Sequence, residues 1–283
     1  MKSLTDTYTL SNGVKIPVIG FGTWQVEDGR EAVEAVKAAL AAGYRHIDTA
    51  QGYGNEESVG RGIKASGVKR EEIFITTKLV NRVRGYEETK AAIKDSLAKL
   101  GTDWLDLFLV HWPVPADFKR NWKEMNTASW RAMEEMHEAG QIRALGVSNF
   151  QAKHIDELMR TAKIPPTVNQ IRLCPGDTQD EVVRYSREKG MLLEAYSPLG
   201  TGEIFGVSLM RDMAEKYGRT IAQVAIRWSL QMGFLPLPKS VTPERIRENA
   251  DVFGFELAPE DVRKIATLKN VAGWHSDPDH ISW

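Results

Sequence analysis

Four side chains of the kinds that move or hold protons fall at the ends of three short apolar runs. They are Asp48, Tyr53 five residues further on, Lys78 and His111. Reduction of a carbonyl needs hydride at carbon and a proton at oxygen. No side chain gives hydride, so that chemistry would require a nicotinamide. The proton would come from an acid within hydrogen-bond reach of the oxygen. A free phenol titrates at about 10, so Tyr53 would donate poorly unless tuned. An ammonium at Lys78 would favour the phenolate and lower that pKa, and Asp48 would hold the lysine charged and in place. A neutral His111 would orient the carbonyl oxygen. Singly, a lysine at a strand end is usually solvated and a lone histidine is usually a core residue. The four together define a reaction.

To act together they must reach one rim, and the pattern around them supplies one. Short β-rich runs recur at Val18–Gly22, Arg45–Asp48, Ile73–Thr77, Asp106–Val110, Ala144–Val147, Thr167–Gln170, Leu192–Tyr196 and Phe234–Leu237. Several are continuously apolar, as in Leu107-Phe108-Leu109-Val110, which suits parallel strands buried on both faces. Between them apolar residues take helical spacing. Val33, Val36 and Leu40 precede Gly43; Ile93, Leu97 and Leu100 precede Gly101; Ile155, Leu158 and Ala162 repeat the pattern; Val224, Trp228 and Met232 precede Gly233. Alternating β and α elements imply a parallel sheet with right-handed crossovers. Eight strands fit a closed (β/α)8 barrel, whose chemistry sits at the C-terminal strand ends, although an open doubly wound sheet would give the same local pattern. Before the repeat, Tyr8-Thr9-Leu10, Ser11-Asn12-Gly13 and Val14-Lys15-Ile16 read as a β-hairpin that would plug the barrel's N-terminal end. After it, Pro259 starts an extra helix with Val262, Ile265 and Leu268 inward, and an irregular tail runs from Asn270 to Trp283.

The 283 residues suit one such barrel, residues 1–283 forming a single domain. A net charge of −1, with acids and bases interleaved, speaks against a nucleic-acid surface. No apolar run reaches the roughly 18 residues of a membrane span, and MKSLTDTYTL does not read as a signal peptide. Cys174 is the single cysteine, so no intrachain disulfide can form. A cytoplasmic, monomeric protein acting on a small molecule is expected.

Several segments resemble the signature blocks of the aldo-keto reductase family. They are His46-Ile47-Asp48-Thr49-Ala50, Tyr53 with Asn55-Glu56, Thr76-Thr77-Lys78-Leu79 and Val110-His111-Trp112-Pro113. The likeness continues through Gly146-Val147-Ser148-Asn149-Phe150, Val168-Asn169-Gln170, Ala195-Tyr196-Ser197-Pro198-Leu199-Gly200 and Pro238-Lys239-Ser240. It covers nearly the whole chain in the family's order, with the shorter bacterial members, such as diketogluconate and methylglyoxal reductases, most alike. The resemblance implies a (β/α)8 barrel that reduces aldehydes or ketones with NADPH, α-dicarbonyls and keto-sugars among them. It makes Asp48, Tyr53, Lys78 and His111 the catalytic tetrad.

A dinucleotide must then bind without a Rossmann fingerprint. Gly60-Arg61-Gly62-Ile63-Lys64-Ala65 matches G-x-G-x-x-A but lies within a helix begun near Asn55, where the match is chance. Barrels bind phosphate with the loops after strands seven and eight. Here those are Ser197 to Gly202 and Lys239 to Arg245, where Thr242 would cap a helix with Pro243 at N1. Thr-Pro-Glu is also simply a good helix start. The resemblance places Lys239, Ser240, Val241 and Arg245 at the 2′-phosphate, with Glu248 and Asn249 near adenine. It puts Ser148, Asn149 and Gln170 at the carboxamide and Tyr196 under the nicotinamide ring, with Gly22, Thr23, Trp24, Asp48, Ser197, Leu199 and Gly200 completing the cofactor contacts. Trp24, Tyr53, Val80, His111, Trp112 and Trp274 would line the substrate pocket. Many relatives carry Trp where this chain has Val80, and Glu and His where it has Arg172 and Cys174, so the pocket wall departs from the family here.

Three other readings compete. His46 and Asp48, two apart on a strand, are too few for a metal site, and His275, Asp277, Asp279 and His280 in the tail suit solvent; no metal is expected. Lys78 as a Schiff-base lysine leaves Tyr53 and the basic loop unexplained. A non-catalytic NADPH-binding regulator would have no need of an intact tetrad.

Overall fold

The computed structural model of the chain describes residues 1–273 and 276–282. The hairpin opens the chain: β1 (Thr7–Thr9) and β2 (Lys15–Pro17) pair antiparallel, with Thr9 opposite Lys15. Gly13, at φ +86°, makes the turn, and its N–H donates to Leu10 O at 2.8 Å.

Eight parallel strands follow: β3 (Phe21–Gly22), β4 (His46–Asp48), β5 (Phe74–Leu79), β6 (Leu105–Val110), β7 (Ile142–Ser148), β8 (Val168–Arg172), β9 (Leu192–Tyr196) and β10 (Leu235–Leu237). Each is hydrogen-bonded to the next in chain order. Gly20 N and Gly22 N donate to Pro236 O and Pro238 O at 3.0 Å, which closes β3 onto β10. The sheet is therefore a barrel, and the open-sheet alternative falls away. β3 is shorter than the sequence pattern suggests. Its glycines explain the close approach: a Cβ on Gly20 would stand 2.5 Å from Leu237 Cδ2 and 2.6 Å from His46 Nδ1.

The crossovers carry α1 (Arg30–Ala41), α2 (Glu56–Ser66), α3 (Tyr86–Leu100), α4 (Trp122–Glu138), α5 (Ala152–Met159) and α6 (Asp180–Glu188). Between β9 and β10 lie two helices, α7 (Ser208–Tyr217) and α8 (Ile221–Gln231). After β10 come α9 (Pro243–Ala250) and the extra α10 (Pro259–Ala266). Ala162, Met232 and Leu268 lie just past the ends of α5, α8 and α10 yet still pack on the core. The G-x-G-x-x-A stretch sits inside α2, where its glycines serve packing. A Cβ on Gly60 would meet Leu100 O at 2.6 Å and one on Gly62 would meet Val36 Cβ at 2.8 Å. These glycines let α2 lie against α1 and α3.

Apolar layers fill the ring between strands and helices, with Val36, Ile47, Phe108 and Leu145 among their buried members. Leu10 and Ile16 of the hairpin pack with Phe74, Leu107, Leu109, Val168 and Leu237. The hairpin thus plugs the lower end of the barrel, as its position in the chain suggested. Toward the other end the inward positions turn polar. This change in composition marks the floor of the site.

Candidate active site

Lys78 is the hub. It lies within β5, fully buried, and its ammonium donates to Asp48 Oδ1 at 2.7 Å, Thr49 O at 2.9 Å and Tyr53 Oη at 3.2 Å. An ammonium has three hydrogens to give, and all three are committed. Burial works against its charge, but Asp48 and then Tyr53 outweigh burial and raise its pKa above the ordinary lysine value. A Schiff-base nucleophile must be a neutral amine, so the aldolase-type reading loses its support. Burial pushes Asp48 upward, while Lys78 and the amide of Gln170, which donates to Oδ2 at 2.9 Å, pull against it.

Tyr53 closes a 3-10 turn, Gln51–Tyr53, immediately after β4. Three side chains hold that turn. Asn55 Nδ2 donates to Thr23 O and Val26 O, both at 3.0 Å, and Asn55 Oδ1 accepts from Thr49 Oγ1 at 3.0 Å. Gln51 Nε2 donates to Ala92 O at 2.7 Å, and Gln51 Oε1 accepts from Val80 N at 2.9 Å. Because Tyr53 Oη accepts from Lys78, its own hydrogen stays free for another acceptor. The residue types alone predict a lowered phenol pKa. Lys78 does act in that direction, but burial is the larger effect and the net direction is upward. The phenol is therefore kept protonated until its proton is taken, and the ammonium stabilises the phenolate then formed.

His111 follows β6, its ring 5.7 Å from that of Tyr53 and edge-on at 74°. Burial, Lys78 and Arg84 hold its pKa well below the ordinary imidazole value, so it is neutral, as orienting a carbonyl requires. Arg84 gives no signal in the sequence. Its buried guanidinium donates to Val80 O, Val83 O and Trp112 O, fastening the loop after β5 to the loop after β6. Asn149, in the left-handed region at φ +62°, donates to His111 O at 3.0 Å and accepts from Tyr196 Oη at 2.8 Å.

The residues expected around a nicotinamide also converge. Ser148 Oγ donates to Gln170 O at 2.8 Å and Thr23 Oγ1 donates to Asp48 O at 3.0 Å. On the other side, Ser197, Gly200, Thr201 and Gly202 all have positive φ, which coils the loop after β9. Lys239, Val241 and Arg245 are exposed at the loop leading into α9. Thr242 occupies the N-cap position there but makes no capping hydrogen bond, contrary to expectation. Its own N–H donates instead to Ser240 Oγ at 3.1 Å, so no Thr242 hydroxyl competes for the first-turn amides. Such an N-terminus beside two cations fits a phosphate. Glu248, expected near adenine, already accepts from Thr220 Oγ1 at 2.8 Å; Asn249 is buried beside it. The donors present fit a dinucleotide phosphate.

Gly52, Val80 and His111 come together beside Tyr53. A Cβ on Gly52 would stand 3.9 Å from both His111 Nδ1 and Val80 Cγ2, so these three line one space. Trp112 is nearly buried and Trp24 is 46% exposed at the rim. Trp274 lies outside the described residues, as does His275. Arg172 ties the tail to the barrel, bonding Asp177 Oδ2 at 2.8 Å and the carbonyl of Ala272, and Cys174 is buried beneath it. His46 is neutral, pushed down to about 3 by burial and then by Lys78, and bonds Thr76 Oγ1 at 2.9 Å. In the tail, Asp279 pairs with Lys153 and His154, and His280 with Asp277.

Known proteins share this architecture and these segments. The model of the aldo/keto reductase family matches residues 18–270. Glyoxal reductase of Bacillus subtilis is 48% identical, aligned over 99% of this chain and 98% of its own. Among solved structures, a mutant of Gox0644 in complex with NADPH superposes with a TM-score of 0.91. It is 36% identical and covers 98% of this chain and 99% of its own. The Bombyx mori aldo-keto reductase in complex with NADP has a TM-score of 0.85 at 33% identity, covering 99% and 95%. The chain belongs to the aldo-keto reductase family.

Proposed function

We propose that this chain is an NADPH-dependent reductase of aldehydes and ketones, with Tyr53 as general acid. The observation that carries the reading is the Asp48–Lys78–Tyr53 chain at 2.7 and 3.2 Å, in which no described residue claims the phenol hydrogen beside a neutral His111. A bound nicotinamide supplies hydride to the carbonyl carbon. His111 orients the carbonyl oxygen, Tyr53 Oη delivers its proton there, and Lys78 holds the resulting negative charge. Asp48 keeps that lysine charged throughout.

The basic loop before α9 supports NADPH over NADH, with Lys239 and Arg245 reading the 2′-phosphate and Ser240 and Val241 beside them. Gly22, Thr23, Trp24, Ser197, Leu199, Gly200, Glu248 and Asn249 complete the cofactor site. Ser148, Asn149, Gln170 and Tyr196 hold the nicotinamide end, and Trp24, Val80 and Trp112 line the substrate side. Small α-dicarbonyls head the substrate list, given the name of the Bacillus relative, with keto-sugars next. The whole chain acts as one domain and as a cytoplasmic monomer. No helix among the described residues is long and apolar enough to cross a membrane.

The test mixes purified protein with NADPH or NADH and a panel of aldehydes, α-dicarbonyls and keto-sugars. Loss of nucleotide absorbance with NADPH well above that with NADH is expected. Cofactor binding without turnover of any carbonyl would replace the enzyme with a cofactor-binding regulator.

A further inference from the structure

Beneath the tetrad lies an acid that the reaction as derived does not use. Glu194, in the middle of β9, is fully buried. By strand alternation it faces into the barrel with Leu192 and Tyr196, while Leu193 and Ala195 pack outward under the helices. Its Oε2 accepts from Gln170 Nε2 at 2.7 Å, and the same nitrogen donates to Asp48 Oδ2 at 2.9 Å. Both amide hydrogens of Gln170 are thus committed to acids. The other Glu194 oxygen has no hydrogen-bond partner among the described residues; His46 Nε2, 3.9 Å away, is engaged by Thr76.

A carboxyl in this position is costly. Burial, and then the charge of Asp48, pushes its pKa up to about 8, against the pull of Gln170 and Lys78. At neutral pH it is chiefly the neutral acid. Its inward neighbours, Leu192 below it on β9 and Leu235 opposite it in register on β10, are leucine, so packing alone does not call for an acid. What Glu194 provides that leucine would lack is one acceptor, aimed at one side of one amide.

We propose that Glu194 is a positioning residue for the cofactor: it fixes the amide plane of Gln170, so that the only group this side chain offers a ligand is its carbonyl oxygen. That oxygen makes no hydrogen bond with a described residue. It is an acceptor, and what it selects is an N–H, such as that of a carboxamide. The inference rests on the reading that Gln170 meets the nicotinamide carboxamide.

The experiment compares binding of NADP+ with that of its 3-acetylpyridine analogue, which keeps the carbonyl but has no amide N–H. Quenching of tryptophan fluorescence reads both affinities without turnover. Wild type is expected to hold NADP+ about tenfold more tightly than the analogue, the worth of one hydrogen bond. Gln170→Leu should abolish that preference. Glu194→Met should abolish it as well, while Glu194→Gln, neutral and still an acceptor, keeps it. In the Gln170→Leu background, Glu194→Met should change the preference no further. A purely structural role would weaken both nucleotides alike. If Gln170→Leu loses the preference and Glu194→Met retains it, the role of Glu194 is refuted and the cofactor reading stands. If Gln170→Leu itself retains it, Gln170 does not meet the carboxamide and both fall. Should Glu194→Met fail to fold, Glu194→Gln decides: a lost preference overturns the proposal and a kept one supports it.

Discussion

Replacement of Tyr53 by Phe separates chemistry from architecture at this site. The bond it deletes is the longest of the three made by Lys78, 3.2 Å against 2.7 Å to Asp48 and 2.9 Å to Thr49 O. The ammonium therefore keeps its two shorter partners. The ring stays in place, edge-on to His111 and with Lys78 Nζ 4.9 Å from its centroid. Loss of this bond leaves one hydrogen of a buried ammonium without its partner and should cost the fold about 1–3 kcal/mol. The chemical step loses its proton donor, a contribution of about 10²–10⁴ in rate, which corresponds to roughly 3–5 kcal/mol of barrier. NADPH affinity should barely change. The assay is single-turnover absorbance after mixing the variant, saturated with NADPH, with excess aldehyde, beside a thermal melt and a fluorescence titration. Near-wild-type turnover would refute the assignment of Tyr53. A large fall in NADPH affinity would refute the claim that the phenol hydroxyl serves the proton rather than the cofactor.

Arg245→Ala should weaken NADPH by roughly ten- to a hundredfold, the worth of a charge-assisted contact, and NADH hardly at all; equal weakening in paired titrations would show that Arg245 does not read the 2′-phosphate. Val80→Trp should raise KM for bulky carbonyls while kcat/KM for a small aldehyde holds or improves, because a wall supplies uniform binding. If small and bulky substrates respond alike, Val80 does not face the substrate. Glu194 also predicts a pH dependence of stability, in an environment where Asp48, Lys78 and His46 are the titratable neighbours. Its pKa, raised from 4.5 to about 8 on folding, means that the folded chain keeps a proton which the unfolded chain sheds within that window. Wild-type stability should therefore fall as pH rises from about 4.5 to about 8, by up to roughly 1.4 kcal/mol per unit, and then level. Glu194→Gln has no such proton to lose, so denaturant melts of the two proteins should diverge across the window; parallel curves would show that Glu194 is ionised in the fold.

The barrel was legible because its rule is repetitive. Runs such as Leu107-Phe108-Leu109-Val110 suit strands covered on both faces, and helical stripes recur between them. The tetrad was legible because reactive residue types recur at strand ends, where a barrel gathers them. What escaped were the residues whose work is to hold other residues. Arg84 looks like any loop arginine until its hydrogens are seen on the carbonyls of Val80, Val83 and Trp112, two of them on one loop and one on another. Thr242 has the right type and place for a cap, but its hydroxyl makes no capping bond and its N–H turns to Ser240, a contact that composition does not record. The direction of the Tyr53 shift failed for a related reason: residue types announce the charge of Lys78 but say nothing of how deeply the phenol sits, and desolvation proved the larger effect. Glu194 was readable in part. An acid flanked by Leu193 and Ala195 in a strand meant to be buried contradicts its own neighbourhood, and a local rule broken without local benefit marks a position where function is a reason to look.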